Sequence, residues 1–278
     1  MKVSDIVYSY RRYGLSIDRF FFTEHVDLVI DDEGGFRRFT RCLPGDAMFY
    51  AELMGRRGYD SAEKREFVYA STFIQPGDEV LDVGCGEGKF AQYCTRYKGV
   101  DTNPYAISAG LAAGRNVFLE TMEQQPLDGF DVIVLFQVLE HVPDPVTMIR
   151  RAVTSLRAGG RLIVSVPNMD GFMGVAMNQE LNYPPHHLTW WDVNSLSNVL
   201  TRAGLSVVNF WQEPLQHQHL AVFLFSLLLP RRDRHFDFSL RARLLTIFAS
   251  LIARLAPRSI KEHRQAIGHT MLAVANKV

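Results

Sequence analysis

Three glycines spaced two residues apart, Gly84, Gly86 and Gly88, lie in the stretch VLDVGCGEGKF (80–90). An apolar run with the length of a buried strand leads into them, and a helical segment is expected to follow. Glycine lets a chain turn sharply and approach a ligand closely, and a helix start offers free N–H groups. Lys89 stands where a dinucleotide fingerprint would carry its third glycine, which disfavours a dehydrogenase. Asp82 lies inside the strand, two residues before the first glycine. Asp101 closes the next apolar run, where a carboxylate can accept both hydroxyls of an adenosine ribose. The second chemical group is histidine: His141 in LEH (139–141), and His186 and His187 in NYPPHHLTWWD (182–192). An imidazole that titrates near neutrality can take a proton from an oxygen or acidic carbon nucleophile. Each also has a structural alternative, closing the LEH turn for His141 and loop packing for the pair. His187 is the better base of the two, because apolar Leu188 follows it. No metal site is expected: adjacent residues rarely chelate one ion, and no acidic cluster accompanies them.

Holding these groups requires a scaffold, and the chain writes one as alternation. Short apolar runs at 79–84, 98–102, 116–120, 130–136 and 160–167 alternate with helical stretches, among them 144–157, where Gly159-Gly160 is the expected stop. A helix over 61–74, capped by Ser61, precedes them; a helix over 193–203 and strands over 205–211 and 269–277 follow. Such alternation means βαβ units and a parallel sheet covered on both faces. Residues 1–60 show no clear period.

The order VLDVGCGEG, GVDTNPYAI (99–107), FDVIVLFQVLEHVPDP (130–145) and LRAGGRLIVSVPN (156–168) resembles the class I S-adenosylmethionine-dependent methyltransferases. The likeness covers about residues 60–213. It implies an α/β, Rossmann-like, seven-stranded and mostly parallel sheet with helices on both faces and an antiparallel last strand. It implies S-adenosylmethionine as cofactor and S-adenosylhomocysteine as product. Asp82 and the loop Gly84, Cys85, Gly86 and Gly88 would hold the methionine end, with Cys85 a small spacer. Asp101 and Thr102 would hold the ribose. Thr121 and Met122 fall at the adenine, with Thr121 replacing the usual acid. Phe136 and Gln137 would line the cofactor, and Tyr59 stands where related enzymes bring a tyrosine over it. Methylases of base amines or protein amides carry Asn/Asp-Pro-Pro-aromatic directly after the fourth strand. That place reads FQVLEH here, and NYPP comes after the fifth strand, so base methylation is not expected. His187, His141 and His186 become the candidate general bases for transfer to oxygen. The stretch 36–60 resembles, in worn form, a region ahead of some sugar methyltransferases; those carry zinc-binding cysteines, of which only Cys42 remains, so no zinc is expected there.

Hydrophobic residues make up 47% of the 278, enough for a core. The net charge of +0 gives no case for nucleic acid. Three cysteines without a CxxC pair, and no signal-like or membrane-spanning run, lead to a cytoplasmic expectation. The neutrality hides an asymmetry. Residues 1–218 hold 20 Lys/Arg against 27 Asp/Glu, and residues 219–264 hold 9 against 3. The expected organisation is an N-terminal extension (1–60), a cofactor-binding core (61–213), an apolar and basic helical insertion (214–268) and a final core strand (269–278). Within the insertion, Leu240, Leu244, Phe248, Leu251 and Leu255 line one helical face. Three roles stay open for 219–258: a cap on the domain, a homodimer contact, or a peripheral surface for anionic membrane at the inner face. The acceptor expected is a small molecule or saccharide, lipid-linked acceptors included. A quinone or aromatic O-methyltransferase and a non-catalytic, methyltransferase-like binding protein are the alternatives.

Overall fold

The apolar runs become the centre of a sheet. The computed structural model describes residues 1–54, 64–176, 178–228, 236–255 and 267–278. In chain order its elements are α1 (Val3–Arg12), β1 (Leu28–Ile30), β2 (Arg37–Phe39), α2 (Ala47–Met54), α3 (Arg65–Ser71), β3 (Glu79–Val83), β4 (Arg96–Asp101), α4 (Pro104–Ala112), β5 (Val117–Leu119), β6 (Phe130–Phe136), α5 (Pro145–Ser155), β7 (Leu156–Pro167), α6 (Phe172–Val175), β8 (Thr189–Trp190), α7 (Val193–Arg202), β9 (Leu205–Pro214), α8 (Leu220–Leu228), α9 (Leu240–Leu255) and β10 (Ile267–Lys277). Among the described residues, seven strands form one sheet in the order β5-β4-β3-β6-β7-β10-β9. β5 through β7 pair in parallel, and β10 runs antiparallel to both of its neighbours. The sheet is buried on both faces: Leu81, Ile133, Leu135, Leu162 and Val164 pack on one side, and Val80, Val132, Val134, Ile163 and Leu272 on the other. That is why these strands read as continuous apolar runs instead of alternating ones. The strand order reverses about β3, and ligands bind outside the carboxyl ends of the strands at such a switch point.

Two boundaries differ from expectation. α5 ends at Ser155, and Gly159 and Gly160 fall inside β7 instead of stopping a helix. Its start is as the residue types require: the Asp144 carboxylate accepts the Thr147 N–H at 2.9 Å, and Pro145 opens the first turn. The segment after the glycine loop is a 3-10 helix over Lys89–Tyr93 and not an α-helix. Tyr59 and Ser61 lie outside the described residues; the helix placed there is described as α3.

The N-terminal region is more ordered than its lack of period suggested. α1 buries Ile6, Val7 and Tyr10, and β1, β2 and β8 form a small antiparallel sheet. These elements close a second core around Phe20, Phe39, Phe49, Tyr183 and Trp190. A ten-residue helix and three-residue strands are too short to set a readable period. One strand of that sheet, β8, comes from the far side of the sequence.

α8 and α9 pack on each other with an unusual polarity. α9 turns Ala242, Ala249 and Ala253 inward, while Leu240, Leu244, Ile247, Phe248, Leu251 and Ile252 are exposed. No described helix is long and apolar enough to cross a membrane.

Candidate active site

The glycine loop leaves the carboxyl end of β3 and is held from beneath. The N–H groups of Gly84 and Cys85 both donate to the Val100 carbonyl, at 2.8 and 3.1 Å. Gly86 donates to Asp101 Oδ2 at 2.8 Å, and Asn103 N–H donates to Asp101 Oδ1 at 2.7 Å. The Asp101 carboxylate is thus fixed by two backbone donors and keeps lone pairs for a ligand's hydroxyls. Gly84 has φ +70°, and a Cβ there would meet Val138 Cγ2 at 2.5 Å. Gly86, at φ +56°, faces open space, as a cradle for a ligand must.

Asp82 is almost fully buried and accepts the Tyr97 hydroxyl at 2.8 Å. Burial pushes its carboxyl up to about 7, against the Tyr97 hydrogen bond and the Lys64 ammonium, while Asp101 adds to the rise. A ligand ammonium would reverse that rise by favouring the carboxylate. Carboxylates at both ends of an open glycine cradle suit an adenosyl amino acid. Burial raises the Cys85 thiol well above its ordinary range, so it stays protonated, in keeping with a spacer. A Cβ on Gly99 would come 2.8 Å from Cys85 Sγ and 2.7 Å from Tyr97 Oη, so that glycine makes room for both.

Thr102 is exposed beside Asp101. The Thr121 N–H donates to Gln124 Oε1 at 2.7 Å, and the Met122 side chain packs into the sheet core. The neighbouring acid, Glu120, is tied to Lys98 at 2.6 Å and Gln125 at 3.0 Å. The Phe136 ring lies tilted against Phe67 and edge-on to Phe90 under the strand end. Gln137 follows at φ +57°, its N–H on the Ser165 carbonyl at 2.9 Å.

His141 and the adjacent pair His186 and His187, which begins 45 residues later in the sequence, come together. Ring centroids lie 4.4 Å apart for His141 and His186, 5.1 Å for His141 and His187, and 4.7 Å for His186 and His187. The segment that follows β6 makes this meeting. Glu140 carbonyl accepts the N–H groups of Leu188 and Thr189, and Thr189 Oγ1 donates to the Leu139 carbonyl at 3.1 Å. Val138, in that segment, is the residue packed against Gly84, and its carbonyl accepts the His141 N–H at 2.9 Å, so His141 lies one turn from the glycine loop. His141 Nδ1 donates to the His186 carbonyl at 2.6 Å, and His187 Nδ1 to Asn182 Oδ1 at 3.1 Å. Asn182 is fixed in turn by Trp190 Nε1, which donates to its carbonyl at 2.7 Å. From the N-terminal region, the Tyr50 ring of α2 lies edge-on to His141 at 5.9 Å.

The cluster is largely buried, and burial favours the neutral rings. Burial lowers His141 to about 4, and the Lys64 charge acts in the same direction. His186 and His187 are lowered by burial first and by their histidine neighbours second. Beside them, Glu140 is 1% exposed, and burial pushes its carboxyl up to about 8. Its Oε1 lies 3.7 Å from His141 Nε2. Glu140, Tyr97, Lys64, Asn182 and Tyr50 were not singled out from sequence. None of them carried a signal there; their burial and contacts in the fold mark them.

A family model described as a methyltransferase domain matches residues 55–209. Among curated relatives, the ubiquinone biosynthesis O-methyltransferase of Stutzerimonas stutzeri is 32% identical over 105 residues, covering 33% of this chain and 45% of its own. That of Marinobacter nauticus is 30% identical over 154 residues, covering 47% and 65%. The chain spans about half the length of the curated relatives it matches. Among solved structures, a SAM-dependent methyltransferase from Archaeoglobus fulgidus aligns with TM-score 0.51 at 18% identity, over 83% of this chain and 98% of its own. At that identity the likeness speaks for the fold alone.

Proposed function

The chain belongs to the methyltransferase domain family, and from that premise we propose that it methylates an oxygen of a small-molecule or saccharide acceptor. The observation that carries this is the meeting of the two halves: a histidine cluster gathered on the segment whose Val138 packs against Gly84 of the cofactor loop. Asp101 and Thr102 would hold the ribose of S-adenosylmethionine, Asp82 and the Gly84–Gly88 loop its methionine end, and Thr121, Met122, Phe136 and Gln137 would border the adenosine. Bound there, the cofactor supplies an electrophilic methyl group. The chain's residues orient the acceptor oxygen toward it and exclude water. His187 and His141 are the candidates to take the acceptor's proton. Both are neutral with Nδ1 protonated, so each keeps a lone pair on Nε2.

A quinone or aromatic acceptor is the second reading, favoured by the names of the relatives above and by the outer face of α9. Six large apolar side chains stand exposed along that helix, with Arg241, Arg243 and Arg254 beside them. This combination suits the surface of an anionic membrane, where a lipid-linked acceptor would be met. Vesicle flotation at low and high salt tests it, and self-association in sedimentation would identify the face as a dimer contact instead.

The function is tested by transfer of labelled methyl from S-adenosylmethionine into cell extract, separated into lipid and water-soluble fractions. Label in saccharide or small polar product supports the first reading, and label in lipid the second. No label in either, from a chain that binds S-adenosylhomocysteine, would leave a cofactor-binding protein without transfer.

A further inference from the structure

We infer that His141, His186 and His187 form a binding site for one divalent transition-metal ion of the zinc class. One ring nitrogen from each lies within 4.8 Å of the other two. The expectation of no metal rested on the adjacent pair, which rarely chelates alone. The fold adds a third imidazole, carried in from the turn after β6.

The tautomers favour a ligand role. Carbonyl and amide oxygens accept at Nδ1 of His141 and of His187, so the proton sits on Nδ1 and the lone pair on Nε2. Metal-bound histidines commonly donate their second nitrogen to such an oxygen, which fixes both tautomer and ring direction. Neutral nitrogen donors suit zinc, cobalt, nickel or copper and not magnesium or calcium, which take oxygen. Three protein ligands leave a fourth position open, as in catalytic zinc sites. Bonds of about 2.0–2.1 Å require the rings to close by roughly an ångström from their present spacing.

A buried carboxyl group stands beside the cluster as well. Glu140 is buried against His141 Nε2, and among the described residues neither of its carboxylate oxygens accepts a hydrogen bond. Burying a carboxyl without a partner is unfavourable, and a dication beside it removes that cost. A bound ion would occupy the Nε2 lone pairs of His141 and His187, so metal binding and the proton-accepting role proposed above compete for the same atoms; the metal site does not rest on the methyltransferase reading.

The test uses the full, untagged chain, stripped with a chelator and titrated with Zn2+ by calorimetry and with Co2+ by visible absorption. S-adenosylhomocysteine affinity is measured alongside as a check on folding. One Zn2+ per chain and the d–d bands of tetrahedral Co2+ are expected. His187→Ala and His141→Ala should abolish both signals, and Asn182→Ala should weaken Zn2+ binding about 10- to 100-fold. No uptake by a wild-type chain that binds S-adenosylhomocysteine overturns the site, as does uptake unchanged in both histidine variants. Methyl transfer by a metal-free chain that takes up no Zn2+ when titrated would overturn the metal site and leave the function standing. Metal uptake without transfer would do the reverse.

Discussion

The two halves proposed for the site are assembled in opposite ways. The cofactor half comes from one run of chain, β3 to β5, in which Asp82, the glycines and Asp101 succeed one another within twenty residues. The acceptor half is collected from α2, the turn after β6 and the 182–191 segment, joined by hydrogen bonds such as Leu188 N–H to the Glu140 carbonyl at 2.6 Å. The first is a local device, written within one short window of sequence. The second exists only when the whole fold has closed, so it is where one chain's acceptor can differ from another's.

The largest effect is expected where the acceptor half is fastened to the sheet. Trp191 is fully buried and stacks on Phe36 at 4.4 Å, with Nε1 donating to Thr189 Oγ1 at 2.8 Å. Trp191→Ala should cost about 3–5 kcal/mol in denaturant unfolding. A loss below about 1 kcal/mol would mean that this strap contributes little to holding the halves together.

Asp101→Ala should strike the other half alone. It removes the acceptor of two backbone N–H groups and the expected hold on the ribose. Cofactor affinity by calorimetry should fall about 100-fold or more. Metal uptake at the histidines should be unaffected, and a parallel loss of both would erase the separation between halves.

A smaller effect, graded with pH, is expected at Asp82. Its folded carboxyl stands at about 7 against an ordinary 3.8, with Tyr97, Lys64 and Asp101 the groups that act on it. The ionised form would hold the cofactor's ammonium, so affinity should rise as pH climbs to about 7 and level off above. The unliganded protein should lose stability over the same climb, because the native state binds that proton more tightly than the unfolded chain does. Asp82→Asn should flatten both profiles, and an unchanged slope would place the titrating group elsewhere.

The smallest effect belongs to α9. Arg243→Glu should weaken binding to anionic vesicles about fivefold or more, from about 1 kcal/mol per basic residue near the surface. Equal binding by wild type and variant would argue for a cap or dimer face.

This contrast also explains what the sequence made legible. The strands and the cofactor loop were readable because apolar runs, glycine spacing and Asp101 all lie within short windows. The N-terminal elements were not, because α1 and the three-residue strands β1 and β2 pack in a core that Tyr183 and Trp190 join from far along the chain. The histidines were visible as residue types, but their meeting was not. Nothing in PPHHLTWWD states that Leu188 will bond to Glu140 and draw His141 alongside. Glu140 itself read as part of a turn, and only its burial marks it. The polarity of α9 was hidden for the same reason: a helical face of leucines looks alike whether it turns inward or out.

The most direct measurement takes His141→Ala, His186→Ala and His187→Ala and records cofactor affinity and methyl transfer on the same preparations. With the halves as assigned, cofactor affinity stays at the wild-type value and transfer falls about 100-fold or more in the His187 and His141 variants. Wild-type transfer in all three would show that the cluster is packing and that the acceptor is handled elsewhere.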